Sequence, residues 1–461
     1  LRKDGVYFGC HNEDCKGEYK KVHELNNSIL KEDIKYFQDW RKLQKIKNIT
    51  YEEVKEWCVR SFAFIDSCGK GFWITKNIKD EELHIECLAN ITGSSFNKTF
   101  GFGDDKIKLR EVLFEIQHEI TYDHMDFIPY SPTQIKNNHN HMDKYNNDKH
   151  TFNLFTGFKA KPIWDLEKLQ LKKIDILLSH ILNVWCMGNI EAYNYILDWM
   201  AHLMQFPDKK IGIMLLFKST KQGAGKNIIF DFIKEWIYDS KNCLEINDID
   251  QLTSKFNSLV GNKLLTLCDE VGMFGADHRN ADKLKNIITQ KTQRIEKKGM
   301  DAYEVKDYNN FIALTNNDWS LKIECGDRRH ICLELSNDKV DNKKYFDEIG
   351  NCFNKECGNI FYSMLLFRDI SKWDKTKIPM TELKRNLKMK SAPISILYLI
   401  EVLRKNETIY LSKTKTIHQC DLFENIKLWM TNSGTLKKYS TSLLQEDLSA
   451  LLQEDGSYII Y

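Results

Sequence analysis

The chain has 461 residues, of which 42% are hydrophobic and 29% charged. That composition suits a packed core, excludes wholesale disorder, and at this length predicts about three domains. The 67 basic and 65 acidic residues leave a formal net charge of +2, so bulk attraction to nucleic acid is excluded and any such role must rest on local patches.

No apolar run reaches the roughly 18 residues that a spanning helix needs, and the start LRKDG lacks the apolar stretch of a secretory signal. No membrane partner and no secretion are expected. The 13 cysteines are an odd number scattered along the chain, which points to reduced thiols rather than a disulfide scaffold. The chain opens on Leu1 rather than Met and reads as a piece of something longer.

Residues 1–30 read as irregular and polar, a zinc module or a linker. Cys10, Cys15 and His23 are candidate Zn²⁺ ligands, because thiolate and imidazole suit that ion. The spacing between the cysteines is looser than in a standard knuckle, and a free-thiol loop is the competing reading. Residues 31–205 mix helix and strand patterns, as an α-rich α+β domain would. Within them, 57–73 is rich in aromatic residues with a turn signal at Gly69 and Gly71. The stretch 131–150 is polar, rich in Asn and His, and reads as a long loop. The run 172–206 carries apolar residues at helical spacing.

Pro207 breaks that spacing, and the apolar run 211–217 suits a buried parallel strand. Strands and helices then alternate to about 337, the pattern of a layered α/β domain placed at 206–345. Residues 346–461 read as mainly helical, with short strands expected at 408–411 and 457–461.

The strand at 211–217 leads into STKQGAGKN at 219–227 and then at once into a helical pattern. Strand, glycine loop, Gly-Lys and helix form the setting of a phosphate-binding loop. Gly223 and Gly225 let backbone N–H groups curl around phosphate oxygens, the helix N-terminus adds positive potential, and Lys226 reaches the β- and γ-phosphates. Two positions depart from the usual pattern. Thr220 stands where a first glycine is usual, and Asn227 stands where a hydroxyl usually meets Mg²⁺.

KLLTLCDE at 263–270 is an apolar strand ending in two carboxylates. Asp269 at the strand end can hold Mg²⁺ and Glu270 can polarise an attacking water. A third apolar strand, 310–315, ends at Asn316, a candidate γ-phosphate contact. Arg328 and Arg329 precede a further strand, where they are either surface charges or groups that reach a neighbouring subunit's site. Between these elements lie a helical stretch with Lys285 and a hairpin whose turn holds Lys297 and Lys298, candidates for gripping the phosphates of a single strand.

The order of phosphate loop, LLTLCDE, LKNIIT with IEKKGMD, FIALTNN and GDRR resembles superfamily 3 helicases. It is most similar to the primase-helicases of poxviruses, other large DNA viruses, phages and plasmids. The flanks at 151–158, 195–202 and 378–381 are also similar, and the resemblance covers about residues 50–440. It implies an AAA+ P-loop ATPase core at 206–345, an N-terminal collar at 31–205 and a helical C-terminal domain at 346–461. It further implies ATP and Mg²⁺ as ligands, a homo-hexameric ring, and movement on single-stranded or forked DNA, 3′ to 5′. Carried over by position, Thr220, Gly223, Ala224, Gly225, Lys226, Asn227 and Asp269 bind nucleotide and metal. Glu270, Asn316 and one of Arg328 or Arg329 serve catalysis, and Lys285, Lys297 and Lys298 serve DNA. A primase domain or polymerase is an expected partner and the replication site in a host cell, or the virion, an expected location. A nucleotide-gated DNA-binding or initiator ATPase with weak turnover is the alternative, favoured by Asn227. A remodeller of proteins is a third reading, against which the lysines at the hairpin speak.

Overall fold

The computed structural model describes residues 5–9, 19–24, 39–46, 48–67, 70–79, 82–88, 96–101, 106–137, 150–247, 250–253, 260–269, 278–295, 303–316, 323, 326–404, 419–433 and 439–449. The chain divides into two compact units. The first is Leu1–Pro162 with Met204–Asp208 and Ile237–Asp239, and the second is Ile163–Leu203, Lys209–Trp236 and Ser240–Tyr461. Most of the helical stretch read as part of the collar therefore lies in the second unit. Among the described residues no helix is long and apolar enough to cross a membrane.

In the first unit, β1 (Gly5–Gly9) and β2 (Tyr19–Glu24) pair antiparallel. This corrects the reading of 1–30 as irregular: short runs on either side of a polar stretch form a hairpin. A four-stranded sheet follows, made of β3 (Phe62–Ser67), β4 (Lys70–Lys79), β5 (Glu82–Leu88) and the short β8 (Thr121–Tyr122), in the order β5-β4-β3-β8. The two-residue strands β6 (Thr99–Phe100) and β7 (Ile107–Lys108) pair with each other, as do β9 (His124–Asp126) and β10 (Thr151–Asn153). The helix Tyr51–Ser61 is started by a capping box in which Thr50 and Glu53 satisfy each other's backbone N–H groups. It packs Trp57 and Cys58 into a core with Phe62, Trp73, Phe96 and Phe100.

Residues 132–137, read from sequence as part of a loop, form the helix Pro132–Asn137. The cause is local. Ser131 Oγ accepts from Gln134 N, Gln134 Oε1 accepts from Ser131 N, and proline occupies the first helical position.

The second unit is organised around a five-stranded parallel sheet. Its strands are β11 (Met214–Lys218), β12 (Cys243–Ile246), β13 (Leu265–Cys268), β16 (Asn310–Thr315) and β17 (His330–Glu334), in the spatial order β12-β13-β16-β11-β17. The small hairpin β14 (Thr292–Ile295) and β15 (Tyr303–Lys306) stands apart from it. Both faces of the sheet are covered, which is why its strands read as continuous apolar runs. On one face Met214, Leu216, Phe311, Ala313 and Cys332 pack with Leu284, Ile288, Leu383 and Leu387. Residues alternate across a strand, so Phe217 lies on the other face, where its ring meets Trp185 and Phe230.

Strand β11 begins at Met214 rather than at 211, because Gly212 takes a left-handed φ of 77° and breaks the extended run. The helices Ile394–Arg404, Gln419–Asn432 and Thr441–Ser449 share a separate small core of Leu399, Leu422, Ile426, Met430 and Leu444. The strands expected at 408–411 and 457–461 lie outside the described residues.

Candidate phosphate-binding site

All five strands of the parallel sheet run the same way, so their C-terminal ends form one edge. Ligands of open α/β sheets collect at that edge. Here it carries the loop 219–227 after β11, Asp269 after β13 and Asn316 after β16.

The loop turns on two glycines with left-handed backbones, Gly223 at φ 75° and Gly225 at φ 80°. Side chains rarely adopt this conformation, which is why glycine stands there. The helix Ile228–Trp236 starts directly after Asn227, and its Phe230, Phe232 and Ile233 are buried. Its N-terminus is thereby fixed behind the loop, and its unpaired N–H groups add to the pull on an anion.

Five side chains converge from beyond the ends of three strands. Lys226 Nζ donates to Asn316 Oδ1. Ser219 Oγ lies 3.1 Å from the same oxygen. Asn227 Nδ2 donates to Asp269 Oδ2 at 3.3 Å. Thr220, at the unusual position, accepts from Asn337 Nδ2 at 2.9 Å, which ties the loop to the segment after β17. Asp231 sits one turn into the helix. Burial pushes its carboxyl above the usual range, and the carboxylates of Glu245 and Asp269 add to that push.

The back of the loop is also held. His180 Nε2 lies 3.0 Å from Gly225 O, and Trp185 Nε1 donates to that carbonyl at 3.4 Å. His180 is fully buried, and burial pushes its imidazole down to about 4. The helical run that contains His180 and Trp185 is legible in the sequence, but this contact is not. No local signal carries it, because the partners are 45 and 40 positions apart.

The opposite edge of the sheet carries a different set. Arg329 O accepts from Met214 N at the start of β11, so Arg328 and Arg329 sit where the strands begin. The register from Met214↔His330 to Lys218↔Glu334 puts them about 20 Å along the strands from the loop 219–227. The helix His278–Thr289, which contains Lys285, ends at this edge too, where Lys210 Nζ donates to Ile287 O at 2.6 Å and to Asp307 Oδ2 at 2.7 Å. Hairpin β14–β15 is rooted there through Asp307 N and Lys291 O. Lys285 is half-buried in its helix.

Beneath the arginines is a buried charge cluster. His330 Nδ1 donates to Asp327 Oδ1 at 2.7 Å, and Lys384 Nζ lies 3.3 Å from Asp327 Oδ2 and donates to His330 O at 2.7 Å. Burial pushes the Asp327 carboxyl up, but the hydrogen bond and charge of His330 and the charge of Lys384 outweigh it and hold the group well below the usual carboxylate range.

The structure thus brings together Thr220, Gly223, Ala224, Gly225, Lys226, Asn227, Asp269 and Asn316, and keeps Arg328, Arg329 and the helix of Lys285 away from them. Glu270, Lys297 and Lys298 lie outside the described residues, as do Cys10 and Cys15. His23 lies in β2, where its backbone alone is described. Among the described residues no group of three His, Cys, Asp or Glu side chains could hold a metal ion.

Comparison with known proteins gives likenesses of sequence and of fold. Residues 217–329 match the model of a family of unknown function, DUF5906. Over 185 residues, 39% of this chain, the sequence is 29% identical to the DNA primase-polymerase of Nitratiruptor phage NrS-1, and the match spans 24% of that protein. The chain therefore aligns with about a quarter of the length of this relative. An apo structure of the NrS-1 C-terminal region superposes with a TM-score of 0.56 at 20% identity, covering 87% of this chain and 94% of that one. The A form of the same region gives 0.54 at 20% identity, with 80% and 84% covered. At that identity the likeness to these structures is one of fold.

Proposed function

We propose that this chain is the motor part of a phage-type DNA replication protein: an ATP-dependent DNA helicase of superfamily 3 with an AAA+ core. The observation that carries the reading is the meeting of Lys226, Asn316, Asn227 and Asp269 at the ends of three adjacent parallel strands, around a loop turned by two left-handed glycines. The strand order, with the loop strand β11 between β16 and β17, supports the same reading. The likeness to a phage DNA primase-polymerase supports replication as the setting.

Bound MgATP supplies the reactive phosphoanhydride and a divalent charge on its phosphates. In this reading Lys226 leaves Asn316 to neutralise the terminal phosphates, and the loop N–H groups and the helix N-terminus hold the remainder. Asn316 then orients water or contacts the γ-phosphate. Asp269 would hold the metal, with Asn227 turned away from it, since an N–H group and a cation compete for the same carboxylate lone pair. Arg328 or Arg329, on the far edge, completes the site of a neighbouring copy in a homo-hexamer. Hairpin β14–β15 and the helix of Lys285 face single-stranded or forked DNA. Glu270 polarises the attacking water.

A second reading is a nucleotide-gated DNA-binding or initiator ATPase with weak turnover. The contact of Asn227 with Asp269 favours it, because an amide replaces the hydroxyl that usually meets the metal.

ATP turnover of the chain, with and without single-stranded DNA and alongside Lys226→Ala, separates the two. Strong stimulation by DNA that is lost in the variant is the motor's signature. Nucleotide binding that alters DNA affinity with little turnover is the gate's.

A further inference from the structure

The carbonyl of Gly225 is held from behind by two ring N–H groups, His180 Nε2 at 3.0 Å and Trp185 Nε1 at 3.4 Å. Both belong to one stretch, in which the helix Asp175–His180 passes into a π-helical turn, Ile181–Trp185. Such turns often mark functional positions. The His180 ring stacks on Tyr345 at 5.8 Å and 27°, and its Nδ1 lies 3.0 Å from the Tyr345 hydroxyl.

The proton positions follow from these partners. A carbonyl only accepts, so His180 Nε2 carries the hydrogen. Nδ1 of a neutral ring is then an acceptor, so the Tyr345 O–H donates to it. The relay runs from Tyr345 to His180 to Gly225. Because a trans peptide is planar, its C=O and N–H point in opposite directions. Gripping the Gly225 oxygen behind the loop therefore turns the Lys226 N–H to the front. Glycine is required for this seat, since a Cβ on Gly225 would lie 2.7 Å from His180 Cε1.

We propose that His180, oriented by Tyr345, is a positioning residue that presets the Gly225–Lys226 peptide for phosphate, and so couples phosphate binding to the helix Lys343–Gly350. This rests on the reading of 219–227 as a phosphate-binding loop. Tyr345→Phe keeps the stacked ring and removes only the donor, whereas His180→Phe removes the grip itself.

Calorimetric titration of the wild-type chain and both variants with ATP and with inorganic pyrophosphate is the test. The expected result is about fivefold to tenfold weaker binding of both ligands in each variant, the scale of one hydrogen bond. Equal pyrophosphate affinity in the variants overturns the proposal. Loss for ATP alone also overturns it, because Tyr345 would then act on the nucleoside. If His180→Phe does not fold, Tyr345→Phe decides. Long-range ¹⁵N–¹H spectra of the ligand-free wild type should show His180 protonated at Nε2, and protonation at Nδ1 would overturn the relay whatever the loop binds. A wild type that binds neither ligand overturns the phosphate-loop reading itself, and this inference with it.

Discussion

Lys226 and Asn316 meet at the ends of adjacent parallel strands, the ammonium donating to the amide oxygen across 90 positions of sequence. The polar end of β16 thus holds the ammonium at the C-terminal edge of the sheet, and the proposed ATPase reading makes that contact testable. Replacing Lys226 by Ala is expected to abolish ATP turnover with little change in melting temperature, since the contact lies at an exposed edge.

Asn316→Ala separates positioning from binding. Turnover is expected to fall by about 10²-fold, the loss seen when one preorganised polar group is removed from a transition state, while ATP affinity changes severalfold at most. Single-turnover kinetics and equilibrium titration measure the two quantities independently. Turnover within about twofold of wild type would remove Asn316 from the chemistry.

The arginines offer a different test because of where they lie. Arg328→Ala or Arg329→Ala should suppress turnover while leaving nucleotide affinity close to wild type, since neither lies at its own chain's loop. Mixing wild-type and variant chains should then depress activity more steeply than dilution. A linear fall with the fraction of variant would exclude a shared site.

The two loop glycines should respond unequally to Ala. Gly223 has no heavy atom within 4 Å of an added Cβ, so the cost is the left-handed backbone alone, about 1–2 kcal/mol. Gly225 adds a collision with buried His180 and with Phe346, whose Cε1 would lie 2.9 Å away. Chemical denaturation should rank Gly225→Ala below Gly223→Ala in stability, and equal costs would show that His180 does not press on the loop.

Asp327 sets an acid limit on stability. Its folded carboxyl titrates below the unfolded one, so on acidification the unfolded chain takes up the proton first. The stabilisation is complete above about pH 5, erodes as pH falls through the ordinary carboxylate value near 4, and continues to fall toward the lower folded value. Asp327→Asn should flatten that limb of the unfolding profile. Lys384→Met, which leaves the buried carboxylate short of a cation, should cost about 3 kcal/mol or more at neutral pH.

The parts of the fold legible in the sequence are those whose signal is local. Strand β16 ends where its apolar run ends, and the order of strand, glycine loop and helix up to 236 follows from the pattern of residues, although Gly212 delays the start of β11 to Met214. The helix Pro132–Asn137 was equally local, since Ser131 and Gln134 spell a capping box, but the surrounding asparagines and histidines masked it. The hairpin of β1 and β2 was hidden in the same way by polar neighbours. In the site, chain order pointed to Lys226, Asp269 and Asn316 because each ends a recognisable strand or loop. His180 gave no such sign. A buried histidine on a helix face has many uses, and only the fold brings it to Gly225.

Lys384 reaches Asp327 from the helix Glu382–Ser391, whose Leu383 and Leu387 are also buried in the sheet's core. The sheet and the helix after it are therefore a single inheritance. A chain cut before that helix would leave a charge and an apolar patch bare, so it would fold poorly however intact its loop at 219–227. Relatives that exchange Asp327 should exchange Lys384 in step, and recombination between them should succeed only when the crossover lies outside 327–387.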